Sequence, residues 1–297
     1  MSSAETEPWT VLRLLEWTTN FFKSKGSESP RLDAEILLSH ARECERIQLY
    51  TSFGEVPTEE QRIAFRELVR RRGEGAPVAQ LVGFREFYSI SIRVDENVLV
   101  PRPETEHLVV EAIDRAKHLS ASVQDRPLRI LDLGTGSGAI AIAIAKNNDN
   151  AEITAVDVSL PALDIAKWNV EKLELTDRIT LVQSDLFASL DEAERFDIIA
   201  TNPPYISQSE YDDLPVTVKD HEPKGALLSG PKGTEIIEQI LDQAPNRLHS
   251  GGRLIIELSP MIADECLSMA EAMGQYAESS VIKDLAGHKR LLSLGVS

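Results

Sequence analysis

A chain of 297 residues with 42% hydrophobic and 27% charged residues can bury a sizeable core, as two domains or one large one, and has the make-up of an ordinary soluble globular protein. Its formal net charge of −17 argues against broad binding to a phosphate backbone, while leaving room for a local basic patch. Cys44 and Cys266 lie far apart in no metal-like spacing, so neither a disulfide framework nor a metal site is expected, and the compartment reads as reducing and cytosolic.

The polar, acidic start, Met1 to Pro8, carries no signal-peptide pattern. Trp9, Leu12, Leu15, Trp17 and Phe21 then recur close to helical spacing, up to Gly26. Ser29-Pro30 reads as an N-cap with proline at the first helical position, followed by Leu32, Ile36, Leu37 and His40. A third helix is expected from Thr58, with Glu60 and Gln61 as a near capping box, through Ile63, Phe65, Leu68 and Val69 to Gly73. Residues 1–75 thus predict a small helical domain. It holds 11 Lys and Arg against 13 Asp and Glu, so nearly all the acidity lies beyond it. The Arg70-Arg71-Arg72 triplet reads as a solvated helix end favoured by the macrodipole.

Residues 76–103 read as a linker. Phe87–Val94 and Val98–Val100 form a hairpin signal around Asp95-Glu96-Asn97, and Pro101-Arg102-Pro103 breaks it before a helix through Ile113. From residue 104 to 297 a single catalytic domain is expected. Strands are predicted at 128–133, 153–157, 179–182, 196–200, 253–258, 280–283 and 290–294, mostly with helices between them. That alternation predicts an α/β fold with a mostly parallel seven-stranded sheet covered on both faces. The last two strands should form a terminal hairpin, giving an antiparallel strand at the sheet's edge. Ala139–Ala145, the longest all-apolar run, is far too short to span a membrane. Residues 206–232 are long and polar, with Pro215, Pro223 and Pro231, and read as a functional or mobile loop.

Chemistry gathers at the strand ends. Asp132-Leu133-Gly134-Thr135-Gly136-Ser137-Gly138 follows the first catalytic-domain strand, where glycines permit a tight turn and close approach of a ligand. Asp157 ends the next strand, suited to accept both hydroxyls of a ribose. Gly134, Gly136 and Ala139 also satisfy the dinucleotide pattern, so the turn alone leaves NAD and S-adenosylmethionine both open. Asp185 ends the third strand, where an adenine amino group would lie. Thr201-Asn202-Pro203-Pro204-Tyr205 ends the fourth, and two prolines force the chain out of the sheet. The Asn202 side-chain oxygen and the Pro203 carbonyl are two acceptors for one NH2 group, with the Tyr205 ring for its flat face. A hydride-transfer enzyme has no evident use for that pair; a methyltransferase acting on planar nitrogen does.

Asp132-x-Gly134-x-Gly136-x-Gly138, Asp157, Asp185 and Asn202-Pro203-Pro204-Tyr205 resemble the motif set of class I S-adenosylmethionine-dependent methyltransferases, which have a Rossmann-like fold. Pro77-Val-Ala-Gln-Leu-Val-Gly83, Glu86-Phe87-Tyr88, Leu99-Val100-Pro101-Arg102-Pro103-Glu104-Thr105-Glu106 and Glu222-Pro223-x-x-Ala226-Leu227 are similar to the HemK/PrmC glutamine methyltransferases in particular. The resemblance covers nearly the whole chain. It implies methylation of the glutamine amide nitrogen in the Gly-Gly-Gln loop of class I peptide chain release factors, with a helical domain that docks the protein substrate and a β-hairpin linker.

It further implies that the cofactor lies on Asp132, Gly134, Thr135, Gly136, Ser137, Gly138, Asp157, Asp185 and Leu186, bordered by Asn202. The glutamine would lie on Asn202, Pro203, Pro204 and Tyr205, with Asn202, Pro203 and Tyr205 catalytic. Arg102, Pro103 and Glu106 are expected to close the pocket, and His288 to be a surface histidine. Leu186 stands where the family often has Trp, and Lys232-Gly233-Thr234 replaces an acidic-Gly-Leu run. The competing readings are a glutamine methyltransferase for a ribosomal protein, an adenine-N6 methyltransferase, and a non-catalytic dinucleotide-binding protein. The charge and the absence of a basic recognition domain disfavour the nucleic-acid enzyme, and no membrane partner is expected.

Overall fold

The computed structural model describes residues 8–120, 123 and 125–297; the signal-peptide reading falls on residues 1–7, outside them. The chain divides between Gly83 and Phe84 into two compact units. Among the described residues no helix is long and apolar enough to cross a membrane.

The first unit is helical: α1 (Val11–Ser24), α2 (Pro30–Ala41), α3 (Arg46–Thr51), α4 (Glu59–Gly73) and α5 (Val78–Val82). Pro30 opens α2 as expected, and Thr58 and Gln61 form a full capping box on α4. Val11, Leu15, Phe22, Leu37, Leu38, Leu49, Phe65 and Val69 make its core. The short α3 and α5 carry too few residues for a helical period to register in the sequence. The arginine triplet is only partly solvated. Arg70 pairs on the surface with Glu67 and Glu74, but Arg72 binds Asp33 of α2 at 2.8 Å. Trp9, just before α1, and Trp17 on α1 are exposed, edge to face at 6.4 Å.

The second unit opens with a hairpin earlier than the sequence suggested. Strands β1 (Phe84–Phe87) and β2 (Ile90–Arg93) pair antiparallel around Tyr88-Ser89. Both turn residues have positive φ, 51° and 58°, as a two-residue hairpin turn of this twist requires. Neither is the usual Asn or Gly, so no turn signal was visible; the Tyr88 N–H donates to Glu106 at 3.0 Å. Glu106 thus secures the hairpin turn. A 3-10 turn (Pro103–Thr105) leads into α6 (Glu106–Ser120).

Then come β3 (Leu128–Leu133), α7 (Ala139–Asn147), β4 (Ala151–Asp157), α8 (Leu160–Lys172), β5 (Ile179–Gln183) and β6 (Phe196–Thr201). Residues 206–232 are not an unstructured loop. They contain β7 (Ile206–Ser207), α9 (Gln208–Asp213), α10 (Val216–Lys219), α11 (Lys224–Leu227) and β8 (Leu228–Gly230), with β7 and β8 paired. The chain closes with α12 (Glu235–Gln243), β9 (Leu248–Glu257), α13 (Ala263–Met273), β10 (Glu278–Lys283) and β11 (Lys289–Gly295).

The main sheet has seven strands in the order β10-β11-β9-β6-β3-β4-β5. Neighbours from β5 to β9 are parallel, whereas β11 is antiparallel to both β9 and β10. The terminal hairpin lies at the edge as expected, but its second strand is inserted inside its first. β11 is buried from Leu291 to Gly295 and β10 is largely open, which is why the apolar strand takes the inner place. Every residue of β6 is buried, matching a central strand with both faces covered.

A half-buried ion pair closes the lower end of this sheet. Asp197, only 3% exposed, accepts two hydrogen bonds from Arg126 at 2.7 Å and one from the Arg129 N–H at 2.8 Å. Burial alone would raise the Asp197 carboxyl, but these donors outweigh it and hold it below the usual range. Its contribution is therefore present above the ordinary carboxylate value of about 4 and is lost as pH falls through the depressed folded value. Arg126→Ala is expected to cost about 1.5–3 kcal/mol at neutral pH, read from urea denaturation, with the difference shrinking in acid. A loss below about 0.5 kcal/mol, the scatter of surface substitutions, would show that the Arg129 N–H suffices.

Candidate active site

Parallel pairing brings five strand ends into one row. Asp157 is in register with Gln183, Leu133 with Val156 and Thr201, and Thr201 with Ile256. Along the carboxyl edge the chain therefore presents Ser184-Asp185, Asp157, the glycine turn, Asn202 and Glu257 in sequence. Ligands of open α/β sheets bind at that edge.

The glycine turn is held by the backbone of β4 and by two carboxylates. The Gly134 and Thr135 N–H groups donate to the Val156 carbonyl at 2.9 and 2.8 Å. Gly134 and Gly136 have φ of 76° and 54°, and a Cβ on either would meet nothing within 4 Å. Glycine is thus demanded there by backbone handedness, and the space in front is open to a ligand. Asp132 is fully buried; its Oδ2 accepts from Thr135 Oγ1 at 2.6 Å and from the Ala141 N–H at 3.1 Å, while Oδ1 has no partner. Burial pushes its carboxyl up to about 7, against the pull of those two bonds.

Asp157 accepts from the Gly136 N–H at 2.8 Å and from the Ser159 N–H at 2.9 Å, one on each oxygen. It shapes the turn and keeps further lone pairs for a ligand. Ser137 is buried, and its carbonyl accepts from Asn169 Nδ2 at 2.8 Å. Asn169, itself 1% exposed on α8, also exchanges two hydrogen bonds with the Arg93 backbone, tying the hairpin to the glycine turn. Asp185 is exposed. Leu186 is half-buried against the core at φ 48°, with Ser184 Oγ bonded to its carbonyl.

At the β6 end, Thr201 Oγ1 donates to the Leu133 carbonyl at 2.6 Å, fixing the exit of the chain. Asn202 is half-buried and donates through Nδ2 to Thr105 Oγ1 at 3.2 Å. Its Oδ1 is thereby turned away from Thr105. Pro203 is buried, and Pro204 and Tyr205 are half-buried, with Tyr205 packed on the core. Burial first, then the nearby Glu257, raises the Tyr205 phenol to about 12, so it stays neutral.

Gly233, φ 91°, packs on this turn. A Cβ there would lie 2.8 Å from the Tyr205 carbonyl and 3.1 Å from the Ser207 nitrogen. Gly233→Ala is expected to destabilise the fold by about 1–3 kcal/mol and to lower kcat by displacing Tyr205. An unchanged kcat at saturating cofactor would show that Tyr205 is not positioned by this contact.

Arg102 forms a two-pronged pair with Glu222 at 2.6 and 2.7 Å, joining the proline-rich segment to the 206–232 region. Burial raises the Glu222 carboxyl, opposed by Arg102 and the Val100 N–H. Pro103 is exposed, and His288 is exposed on the β10–β11 turn, 3.6 Å from Asp284. Sequence reasoning assigned no role to Asn169 or Glu257, and placed Thr105 and Glu222 only within motifs. The visible signal was a polar residue on an apolar element: Asn169 amid Ile165, Ala166 and Val170, and Glu257 after Leu254-Ile255-Ile256.

The donor set suits a nucleoside bearing a cationic amino-acid group. An unpartnered buried carboxylate oxygen on Asp132 awaits a donor, the glycine backbone is open, and Asp157 and Asp185 end the two strands beyond it. The sheet decides what the glycine turn left ambiguous. Apart from β11 it follows the 3-2-1-4-5-6 order of dinucleotide sheets, but an antiparallel strand is inserted before the last. With that inserted strand and a Rossmann-like glycine turn, this is a class I S-adenosylmethionine-dependent methyltransferase.

Residues 13–83 match the PrmC N-terminal domain and residues 110–217 the methyltransferase small domain. A release factor glutamine methyltransferase from Rhodopirellula baltica is 70% identical over 288 residues, covering 97% of this chain and 96% of that protein. Another, from Chlorobaculum tepidum, is 39% identical over 284 residues, covering 94% and 95%. The chain belongs to the release factor glutamine methyltransferase family. The hMettl16 catalytic domain, solved with a MAT2A 3'UTR hairpin, shares the fold at a TM-score of 0.55 and 18% identity, covering 77% of this chain and 81% of that one. So does a T. thermophilus 16S rRNA N2 G1207 methyltransferase solved with AdoMet and guanosine, at 0.51 and 20%, covering 72% and 50%.

Proposed function

We propose that this chain methylates the side-chain amide nitrogen of the glutamine in the Gly-Gly-Gln motif of a class I peptide chain release factor, in the cytosol. The observation that carries the reading is the fixed amide of Asn202. Its NH2 is engaged by Thr105, which leaves Oδ1 as a directed acceptor one strand from the open glycine turn. When bound, S-adenosylmethionine supplies an electrophilic methyl group on a sulfonium. Gly134–Gly138, Asp157, Asp185 and Leu186 hold it, with Asp132 Oδ1 as an additional buried acceptor.

Asn202 Oδ1 and the Pro203 carbonyl accept the two N–H bonds of the substrate amide. An amide nitrogen is a poor nucleophile because its lone pair is delocalised into the carbonyl. Two acceptors draw density onto nitrogen and orient it, while the Tyr205 ring holds the amide plane. Positioning of this kind supplies roughly 7–11 kcal/mol in favourable cases, and fixed acceptors add polarisation without reorganisation. No strong base is required before transfer, because the methylated nitrogen is far more acidic and loses its proton afterwards.

Residues 1–75 dock the protein substrate. The exposed Trp9, just before α1, and Trp17 on it are anchors of the type that protein interfaces use, and a nearly neutral domain suits a folded partner better than a phosphate backbone. The test is tritium transfer from labelled S-adenosylmethionine. Purified release factor, its Gln-substituted form, ribosomal protein and nucleic acid are offered in parallel. Label on the intact release factor alone is expected; equal label on the Gln-substituted form would overturn the assignment.

A further inference from the structure

Glu257 is an acid at the end of a buried apolar strand, only 1% exposed, with Oε2 unpartnered. The Thr105 side chain lies against its carboxyl and draws it down, opposing the effect of burial. Thr105 is 4% exposed, and its hydroxyl oxygen accepts from Asn202 Nδ2 at 3.2 Å. Side chains from β9, the proline-rich turn and the β6 end thus meet, with Glu257 and Thr105 buried and Asn202 half-buried.

We propose that Glu257 and Thr105 are positioning residues that set which way the Asn202 amide faces. This rests on the reading of Asn202 Oδ1 as the acceptor for substrate NH2. The logic is one of donors and acceptors. An ionised carboxylate can only accept, so the single Thr105 proton points to Glu257. The Thr105 oxygen then has only acceptor capacity for Asn202, which must present its NH2. Oδ1 is left for the substrate. The same chain polarises Asn202: a hydroxyl donating to a carboxylate is a stronger acceptor, and an amide whose NH2 is drawn on carries more charge on its oxygen.

Protonated Glu257 reverses the order. It can donate to Thr105, whose proton is then free for Asn202 Oδ1, and the amide is no longer held in its working orientation. The charged and titratable groups facing Glu257 are Arg290, Glu104, Arg102 and Tyr205. Burial outweighs the Thr105 bond and the two arginines and brings the Glu257 carboxyl up to about 7. The ionised form is the working one, so kcat rises with pH through this region.

The experiment measures kcat, cofactor Kd and a pH–kcat profile for Thr105→Val, Thr105→Ser, Glu257→Gln and Asn202→Ala, at saturating cofactor. Thr105→Val is expected to lower kcat about 10- to 100-fold, the range typical when an outer partner that orients a working ligand is removed. Cofactor Kd should stay unchanged, and Thr105→Ser should restore kcat. Glu257→Gln keeps the shape, lowers kcat, and should lose the ascending limb near neutral pH. Full kcat in Thr105→Val, or an intact limb in Glu257→Gln, overturns the proposal. Because Thr105→Ser retains the hydroxyl, its failure to rescue also counts against it. Activity in Asn202→Ala would instead remove the acceptor reading itself, so the two failures are distinguishable.

Discussion

Asn202→Ala is expected to lower methyl transfer at least about 100-fold, the scale set by removing one preorganised group from a polarising site, while cofactor affinity is unchanged. Asn202 lies at the β6 end, and its side-chain hydrogen bond is to Thr105, not to the glycine turn. Truncation therefore removes the acceptor without touching the Asp157–Gly136 or Asp132–Thr135 bonds. Calorimetric titration with S-adenosylmethionine and single-turnover transfer separate the two properties. Equal loss of both would end the assignment of Asn202 as acceptor. Asn202→Asp is informative beside it: a carboxylate still accepts, but it repels the Thr105 oxygen that now faces its NH2, so it should rescue little.

Asp157→Ala is expected to weaken cofactor binding on the order of 1.5–3 kcal/mol, roughly tenfold to more than a hundredfold in Kd, for loss of a charged hydrogen bond. The structure adds a second cost. Each Asp157 oxygen already binds a backbone N–H, at Gly136 and Ser159, so the substitution leaves two turn amides unpartnered and loosens the cradle itself. The loss should thus fall toward the upper end and extend to analogues lacking ribose hydroxyls. An Asp157→Asn variant keeps the volume but can answer only one of the two amides, and should fall between. Unchanged affinity in Asp157→Ala would remove that residue from the ribose site.

The parts of this protein that were legible in the sequence are those where one local rule suffices. Strands buried on both faces read as apolar runs, so β3 and β6 were found with nearly their observed bounds, and the β-branched runs of β4 and the edge strand β5 were legible beside them. A helix-opening proline marked α2, where Ser29 makes no side-chain cap bond, and capping chemistry marked α4. Acids and an Asn-Pro-Pro-Tyr turn at strand ends announced polar groups where apolar ones would continue. The hairpin was misplaced because Tyr88-Ser89 adopt positive φ without the residues that normally signal it. Residues 206–232 looked like an empty loop because helices of four to six residues have no measurable period. Arg72 looked solvated because nothing local foretells Asp33, thirty-nine residues away.

The sequence by itself determined the alternation of strands and helices, the acceptor groups at four strand ends and the acidity beyond the first helices. These follow from backbone sterics, burial period and side-chain chemistry within a few residues. Only the tertiary structure decided the insertion of β11 inside β10, which distinguishes this sheet from a dinucleotide-binding one. It alone also brought Thr105 to Asn202, Glu257 to Thr105, and Asn169 between Arg93 and Ser137. Those contacts span tens of residues, and a buried polar side chain must be paired with whichever partner the packed fold delivers.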